Sequence, residues 1–147
     1  MSVSAILSAA VTVLSARYPT FTVEAHGGQF TERELPLLLG KAPALLVSCA
    51  GVQNLTPSGE TAFRGDWRWA LCVLALDAGA TARGPLALET ALDLLLWLPD
   101  QRWNRPDAWP VDPEQIVADN LYTGHVNTLR VALWGVTWSQ SFLFAPE

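Results

Sequence analysis

Residues 44–50 read ALLVSCA and residues 69–76 read WALCVLAL, two nearly uninterrupted apolar runs whose lengths are typical of buried strands. Between them, residues 53–60 read QNLTPSGE, and the Pro, Gly, Asn and Ser of this stretch indicate a turn region. The stretch 42–76 therefore predicts a long antiparallel hairpin at the centre of a sheet. The polar residues at its tip predict an extended arm.

The segment before the hairpin predicts two helices and a short strand. Residues 2–18 place apolar side chains at helical spacing, and residues 20–25 alternate as a half-buried strand does. Thr31 at a cap position and Glu34 three residues later form a capping-box pattern, which predicts a short second helix. Pro36 lies just past its first turn and is expected to distort it.

The segment after the hairpin predicts one helix, one irregular loop and two strands. A broad stripe of leucine and alanine between Pro85 and Pro99 predicts the helix. Residues 99–113 have no periodicity, and an irregular stretch of this length indicates a functional or partner-ordered loop. Residues 115–121 and 130–144 predict strands. In the last strand one parity is apolar apart from Gln140, so that face is expected to be buried.

The order of elements defines the fold class. Helix, strand, helix, strand, strand, helix, strand, strand is typical of an α+β fold, here an antiparallel or mixed sheet with a central long hairpin, packed with two to three helices. At 147 residues, half of them hydrophobic, the chain is expected to form a single domain over 1–147.

Composition excludes several classes of function. The net charge is −5 and no basic cluster is present, which argues against a protein that binds nucleic acid through its phosphates. No window is apolar enough for a membrane span, and the N-terminal helix lacks the features of a secretory signal, so a soluble intracellular protein is expected.

Cys49 and Cys72 lie inside the apolar runs and are expected to be buried thiols, with a disulfide or a metal site as the alternatives.

The sequence contains no motif typical of catalysis or of cofactor binding. His26 and His125 are the only histidines, and neither lies in a spacing that binds metal. His26 with Glu24, or His125 with Asp119, could form an acid–base pair, but a solvated loop histidine is the simpler reading of each. Phosphate-binding and serine-nucleophile motifs are also missing. We therefore expect no enzyme, no cofactor and no metal ion.

Seven tryptophans fall into two groups. Five lie on predicted strands or on the predicted helix and are expected in the core or on a face of the sheet: Trp67, Trp69, Trp97, Trp134 and Trp138. Trp103 and Trp109 lie in the irregular loop, where contact with a partner and packing over the chain's own core are both open.

Three stretches, in order, carry a resemblance to a known family. Residues 23–30 read VEAHGGQF, residues 41–52 read KAPALLVSCAGV, and residues 69–75 read WALCVLA ahead of a Leu-rich helix and a closing strand. Together they resemble a family of Mu-like phage and prophage tail proteins. That family's pattern is an extended segment with a Gly-Phe turn, a Pro-Ala-Val-Leu-Val-type strand and a trailing Gly, and the similarity spans most of the chain.

The resemblance implies a tail terminator, a structural protein of the virion. Such a subunit forms a ring, expected to be a hexamer, that caps the tail tube and joins it to the head–tail connector, with DNA passing through the lumen without specific binding. Its place would be the head-proximal end of the tail, after assembly in the host cytoplasm and with no membrane. The alternatives are another minor tail or head–tail connector component and, less in keeping with the residues, a small cytoplasmic enzyme.

Five residues are the expected interface of such a ring. Arg64, Asp66 and Arg68 lie on the arm of the hairpin, where the two arginines could meet acidic groups of a neighbour such as Glu89 or Asp93. Trp103 and Trp109 are the expected contacts with the tube or the connector.

Overall fold

A computed structural model describes residues 3–27, 32–77, 82–121, 126 and 129–145. Within these ranges the bounds of three helices and five strands are described, with short 3-10 turns at Glu32–Glu34, Leu39–Lys41 and Pro113–Gln115. In chain order they are α1 (Val3–Arg17), β1 (Thr22–Ala25), α2 (Leu35–Leu38), β2 (Ala44–Pro57), β3 (Phe63–Leu76), α3 (Arg83–Trp97), β4 (Val117–Asn120) and β5 (Val131–Phe144).

One mixed sheet organises the molecule, with the strand order β1-β2-β3-β5-β4. β1 runs parallel to β2, and the other neighbours are antiparallel. β2 and β3 are each 14 residues long and pair from Ala44 opposite Leu74 to Pro57 opposite Phe63. β3 pairs along its whole length with β5. The predicted α+β fold with a long central hairpin is confirmed.

The face of the sheet under α1 and α3 carries the main core. Odd-numbered residues of β3 and even-numbered residues of β5 point to this face, where Ile6 and Leu14 of α1 and Leu94 of α3 cover them. Large aromatic rings fill its centre: Trp67, Trp69, Trp103, Trp138 and Phe142 are all buried and lie ring to ring. The predicted buried parity of β5 is confirmed, Gln140 included.

The opposite face is covered over only part of its length. A second apolar cluster packs there, made of Leu35, Leu38, Ala44, Leu46, Cys72, Leu74, Val126, Val131 and Leu133. Beyond it, the side chains of Arg64, Asp66, Arg68, Ser139 and Ser141 share this face without a covering helix among the described residues. We call these five residues the open face.

Three local predictions need correction. The second helix is a single turn, Leu35–Leu38, because Pro36 falls at its start and 3-10 turns flank it. Glu34 is its cap residue without a side-chain cap bond, and Thr31 lies outside the described residues. The strand expected at 115–121 begins only at Val117, because a 3-10 turn at Pro113–Gln115 precedes it.

The two cysteines do not form a disulfide. Cys49 lies opposite Trp69 and Cys72 lies opposite Leu46, which places the two side chains on opposite faces of the sheet. Both thiols are free; Cys72 is buried and Cys49 is half-buried. Burial raises the pKa of each thiol, for Cys72 to about 12.

Candidate interaction site on the hairpin arm

The far half of the hairpin, residues 51–66, is the arm. Its β2 strand is exposed from Val52 to Pro57, and residues 58–62 turn the chain. Two register shifts interrupt the β2–β3 pairing, between Cys49 and Gly51 and between Gln53 and Thr56. Each adds one residue to β2, and an extra residue of this kind bends a strand and increases its twist. The arm is therefore bent relative to the body of the sheet.

The first bulge lets Arg68 lie flat across β2. Its Nη2 donates a 3.1 Å hydrogen bond to the carbonyl of Ala50. A Cβ on Gly51 would lie 2.9 Å from that same Nη2, and the φ of Gly51 is +155°, a conformation that favours glycine. Arg68 is thus held within its own chain on the open face.

The second bulge holds Asp66. Asn54 adopts a left-handed φ of 57°, and its Nδ2 donates a 2.9 Å hydrogen bond to one carboxylate oxygen of Asp66. The hydroxyl of Ser141 donates to the other oxygen at 2.8 Å. Asp66 therefore ties the arm to β5, with both oxygens engaged.

Arg64 lies over the ring of Trp109. Its guanidinium carbon is 4.3 Å from the ring centroid, a cation–π contact. The backbone N–H of Trp109 bonds to the carbonyl of Ser141 at 2.9 Å, so the loop continues the sheet beside β5. A groove of about 450 Å³, lined by Arg64, Asp66, Trp109, Ser141 and neighbouring polar residues, opens between arm and loop. Three of the five predicted interface residues meet here, and Arg68 lies on the same face.

The other side of the arm is apolar. Val52, Leu55 and Phe63 are exposed there, and we call them the arm patch. A Cβ on Gly65 would lie 2.7 Å from Leu55 Cδ2 and 3.1 Å from Phe144 Cε2, so the missing side chain lets these groups close over the strand. The arm thus has a polar face and an apolar face, both exposed to solvent.

The loop at 99–113 is fixed to the sheet by the buried Gln140. Its Oε1 accepts hydrogen bonds from the indoles of Trp69 and Trp103, at 3.0 and 2.7 Å. Its Nε2 donates to the carbonyls of Gln101 and Trp109, at 2.8 and 2.7 Å. The loop follows the sheet closely although its sequence has no periodicity.

Trp103 is a correction to the predicted interface. Its side chain is 1% exposed, because it inserts between Trp69, Trp97 and Trp138 and bonds to Gln140. Contact with a partner and packing in the chain's own core were both open for Trp103, and the structure shows the packing. Trp109, in contrast, is 37% exposed and therefore partly accessible to a partner.

The acidic partners suggested for the arm arginines differ in their surroundings. Asp93 binds within the chain: Arg17 Nη2 lies 2.9 Å from one oxygen, and the Tyr18 hydroxyl donates to the other at 2.6 Å. Burial, together with Asp93, raises the pKa of Tyr18. Glu89 is exposed on α3. Asp93 therefore fastens α1 to α3, which leaves Glu89 as the more accessible of the two.

The groups considered for acid–base chemistry are arranged differently from the expectation. His26 Nε2 lies 2.5 Å from Glu34 Oε2, whereas Glu24 forms an ion pair with Lys41 at 2.7 Å. His125 lies outside the described residues, so its pairing with Asp119 is not described. The described residues contain no group of three or more His, Cys, Asp or Glu side chains that could hold a metal ion.

No model of a known protein family matches the chain, and no curated protein sequence matches it. Within the described part of the chain, no helix has both the length and the apolar character needed to cross a membrane.

Two features of this site were not predicted from the sequence. The arm patch was hidden because its side chains alternate irregularly across a bulge, so period two does not predict that Val52 and Leu55 share a face. Gln140 was recognised as the polar member of a buried parity, but its four partners come from distant segments. A single polar residue on a buried face indicates that segments distant in sequence supply its hydrogen-bond partners, because a buried polar group is almost always hydrogen-bonded.

Proposed function

We propose that this chain is a tail terminator, a structural subunit that forms a ring at the head-proximal end of a phage tail. The main support for self-association comes from the arm. It leaves Val52, Leu55 and Phe63 exposed on one side and charged groups on the other. The end of a hairpin with an uncovered apolar face is stabilised when a partner covers it. The role in a tail comes from the resemblance to Mu-like tail proteins.

The open face presents charged groups that are prearranged for docking. Arg64, Asp66 and Arg68 each have a partner within the chain, which fixes their positions before any partner arrives. Prearranged charged groups favour selective docking, because less side-chain freedom is lost on association. Trp109, beside Arg64, adds a partly exposed aromatic surface of the kind that carries binding energy at interfaces.

The charge of the chain fits a ring through which DNA moves. Each subunit has a net charge of −5, so a closed ring would repel the DNA backbone overall. DNA would then pass through the lumen without specific binding. The tail tube protein and the head–tail connector protein would be the partners on the two sides of the ring.

Assembly tests the proposal directly. The purified chain, alone and with tail tubes, is examined by mass photometry and negative-stain microscopy, with rings as the expected result, hexamers in particular. In the phage or prophage that encodes the chain, its deletion should leave heads and tails unjoined. A chain that stays monomeric alone and with tubes, and whose deletion leaves joined particles, would overturn the proposal.

The position of the chain in the particle separates the alternatives. Gold labelling at the head-proximal end of the tail supports the terminator, whereas labelling elsewhere would assign the chain to another minor tail or connector component. A small cytoplasmic enzyme would use His26 or His125, and His26 is paired with Glu34. Particles that join normally when both His26→Ala and His125→Ala are introduced would leave no role for such an enzyme.

A further inference from the structure

Among the described residues, two groups of exposed apolar side chains each form a continuous surface, and they lie on different elements. The arm patch consists of Val52, Leu55 and Phe63, which are 41%, 57% and 47% exposed. The second surface is on α3, where Leu88, Leu92 and Leu96 are 41%, 50% and 83% exposed. Their spacing of four residues places these leucines in a row along one side of the helix. We call this row the leucine stripe.

The leucine stripe faces away from the chain's own core. Buried residues of α3 are Ala87, Thr90, Ala91 and Leu94, on the opposite side of the helix. The broad apolar stripe from which the helix was predicted is thus only partly buried, and Leu88, Leu92 and Leu96 lie on its exposed side. The apolar arc is too wide for one sheet face to cover, so three leucines remain in solvent.

The two surfaces do not meet within this molecule, because the side chains of both are exposed to solvent. Leu88, at the start of the stripe, lines a groove with Val131 and Leu133, at the first end of β5. The arm patch lies beside Phe144, at the last residue of β5. From Leu133 to Phe144 the strand covers roughly 36 Å at about 3.3 Å per residue. Contact between the two surfaces therefore needs two molecules.

The leucine stripe and the arm patch are similar in length. The stripe from Leu88 to Leu96 is about 12 Å long at 1.5 Å per residue of helix. Along β2, Val52 to Leu55 covers about 10 Å, and Val52 to Pro57, which pairs with Phe63, covers about 17 Å. A row of three leucines and a hairpin face of similar length can cover each other.

We infer that the arm patch of one copy docks on the leucine stripe of the next copy. The two surfaces differ from each other, so the contact is heterologous, and repeated contacts of this kind close into a ring when the rotation between copies permits. The inference rests on the proposed ring: it names the surfaces through which the subunits would meet. This contact would also bury the exposed leucines of α3, which do not pack in the core of their own chain.

Cross-linking between two different variants tests the contact. In a Cys49→Ala background, Leu55→Cys and Leu92→Cys proteins are prepared separately, mixed and treated with a short bis-maleimide. The mixture should yield a covalent dimer, whereas either variant alone should not, because each carries only one half of the contact. Leu37→Cys is the matched control, since Leu37 is 80% exposed but lies on α2. Mixed with Leu55→Cys, it should yield no dimer.

A charge exchange gives an independent readout. Leu55→Glu and Leu92→Lys should each weaken self-association about ten-fold or more, because a charge then enters an apolar contact. Mixing the two should restore much of it, while Leu37→Glu should assemble as the wild type does. Rings that form normally in both variants, with no cross-link in the mixture, would overturn this contact and leave the proposed function standing. A wild-type chain that remains monomeric alone and with tubes would overturn both.

Discussion

The indole Nε1 of Trp103 donates a 2.7 Å hydrogen bond to Oε1 of Gln140, across 37 positions of sequence. Trp69 donates to the same oxygen, and the Gln140 amide donates to the carbonyls of Gln101 and Trp109. A glutamine side chain has two acceptor positions and two N–H donors, so all four are used inside the chain. This one buried side chain holds the irregular loop against the aromatic core.

Replacing Gln140 by methionine should strongly destabilise the fold. The change keeps the shape approximately but leaves two indole N–H groups and two carbonyls without their partner. Each buried polar group left unsatisfied costs about 1–3 kcal/mol, so we expect the free energy of unfolding to fall by about 3 kcal/mol or more. Denaturant unfolding measures it. Gln115→Met, at an exposed glutamine, is the control and should change stability by less than about 0.5 kcal/mol.

The contact between Arg64 and Trp109 should be measurable as a coupling energy. Arg64→Ala, Trp109→Ala and the double variant form a thermodynamic cycle, in which a cation–π contact at a partly exposed site is worth about 0.5–1 kcal/mol. Denaturant unfolding of the four proteins gives the coupling. Additive effects of the two substitutions would show that the ring and the guanidinium act independently.

Periodicity predicted the parts of the fold in which each residue is placed by its neighbours in sequence. The apolar runs gave the hairpin, and the parity of β5 correctly placed Trp138 and Phe142 on the buried face. Periodicity did not predict burial where burial depends on the element that packs against a helix or strand. Leu92 fits a buried stripe as well as Ala91 does, yet Leu92 is exposed and Ala91 is buried, because only one side of α3 is turned towards the core.

The candidate site was predictable in part for the same reason. Arg64, Asp66 and Arg68 alternate along β3, so one shared face follows from period two. Trp109 joins them, and Trp103 does not, because of contacts between segments far apart in sequence. The loop has no repeat that could distinguish the two tryptophans. Side-chain hydrogen bonding in three dimensions, which spacing does not encode, decides which of them is buried.

Gly51→Ala should displace Arg68 from the open face. The new Cβ would lie 2.9 Å from Nη2, and a φ of +155° is unfavourable for alanine. The arginine can move aside, so we expect loss of its bond to Ala50 and a decrease in stability of about 1–2 kcal/mol. Repeating the substitution in an Arg68→Ala background, again by denaturant unfolding, should reduce that effect. An equal effect in both backgrounds would assign the whole cost to the backbone.

Stability at alkaline pH should depend on Cys72. Burial, with a smaller contribution from Glu34, raises the pKa of this thiol from 9.0 to about 12. Below pH 9 the thiol is protonated in both the folded and the unfolded chain, and its full contribution to stability is present. Between the two pKa values only the unfolded chain loses the proton, so stability falls as pH rises, by at most about 1.4 kcal/mol per pH unit.

The Cys72→Ala variant isolates this contribution, because it lacks the titrating group while the other groups remain. Unfolding by denaturant at about pH 8 and about pH 10 should show the advantage of the wild type over the variant shrinking by about 1 kcal/mol. Parallel pH dependences would contradict the raised pKa. Thiol labelling at about pH 8 gives a second measurement, in which the half-buried Cys49 should react faster than the buried Cys72, because its sulfur is more accessible to the reagent.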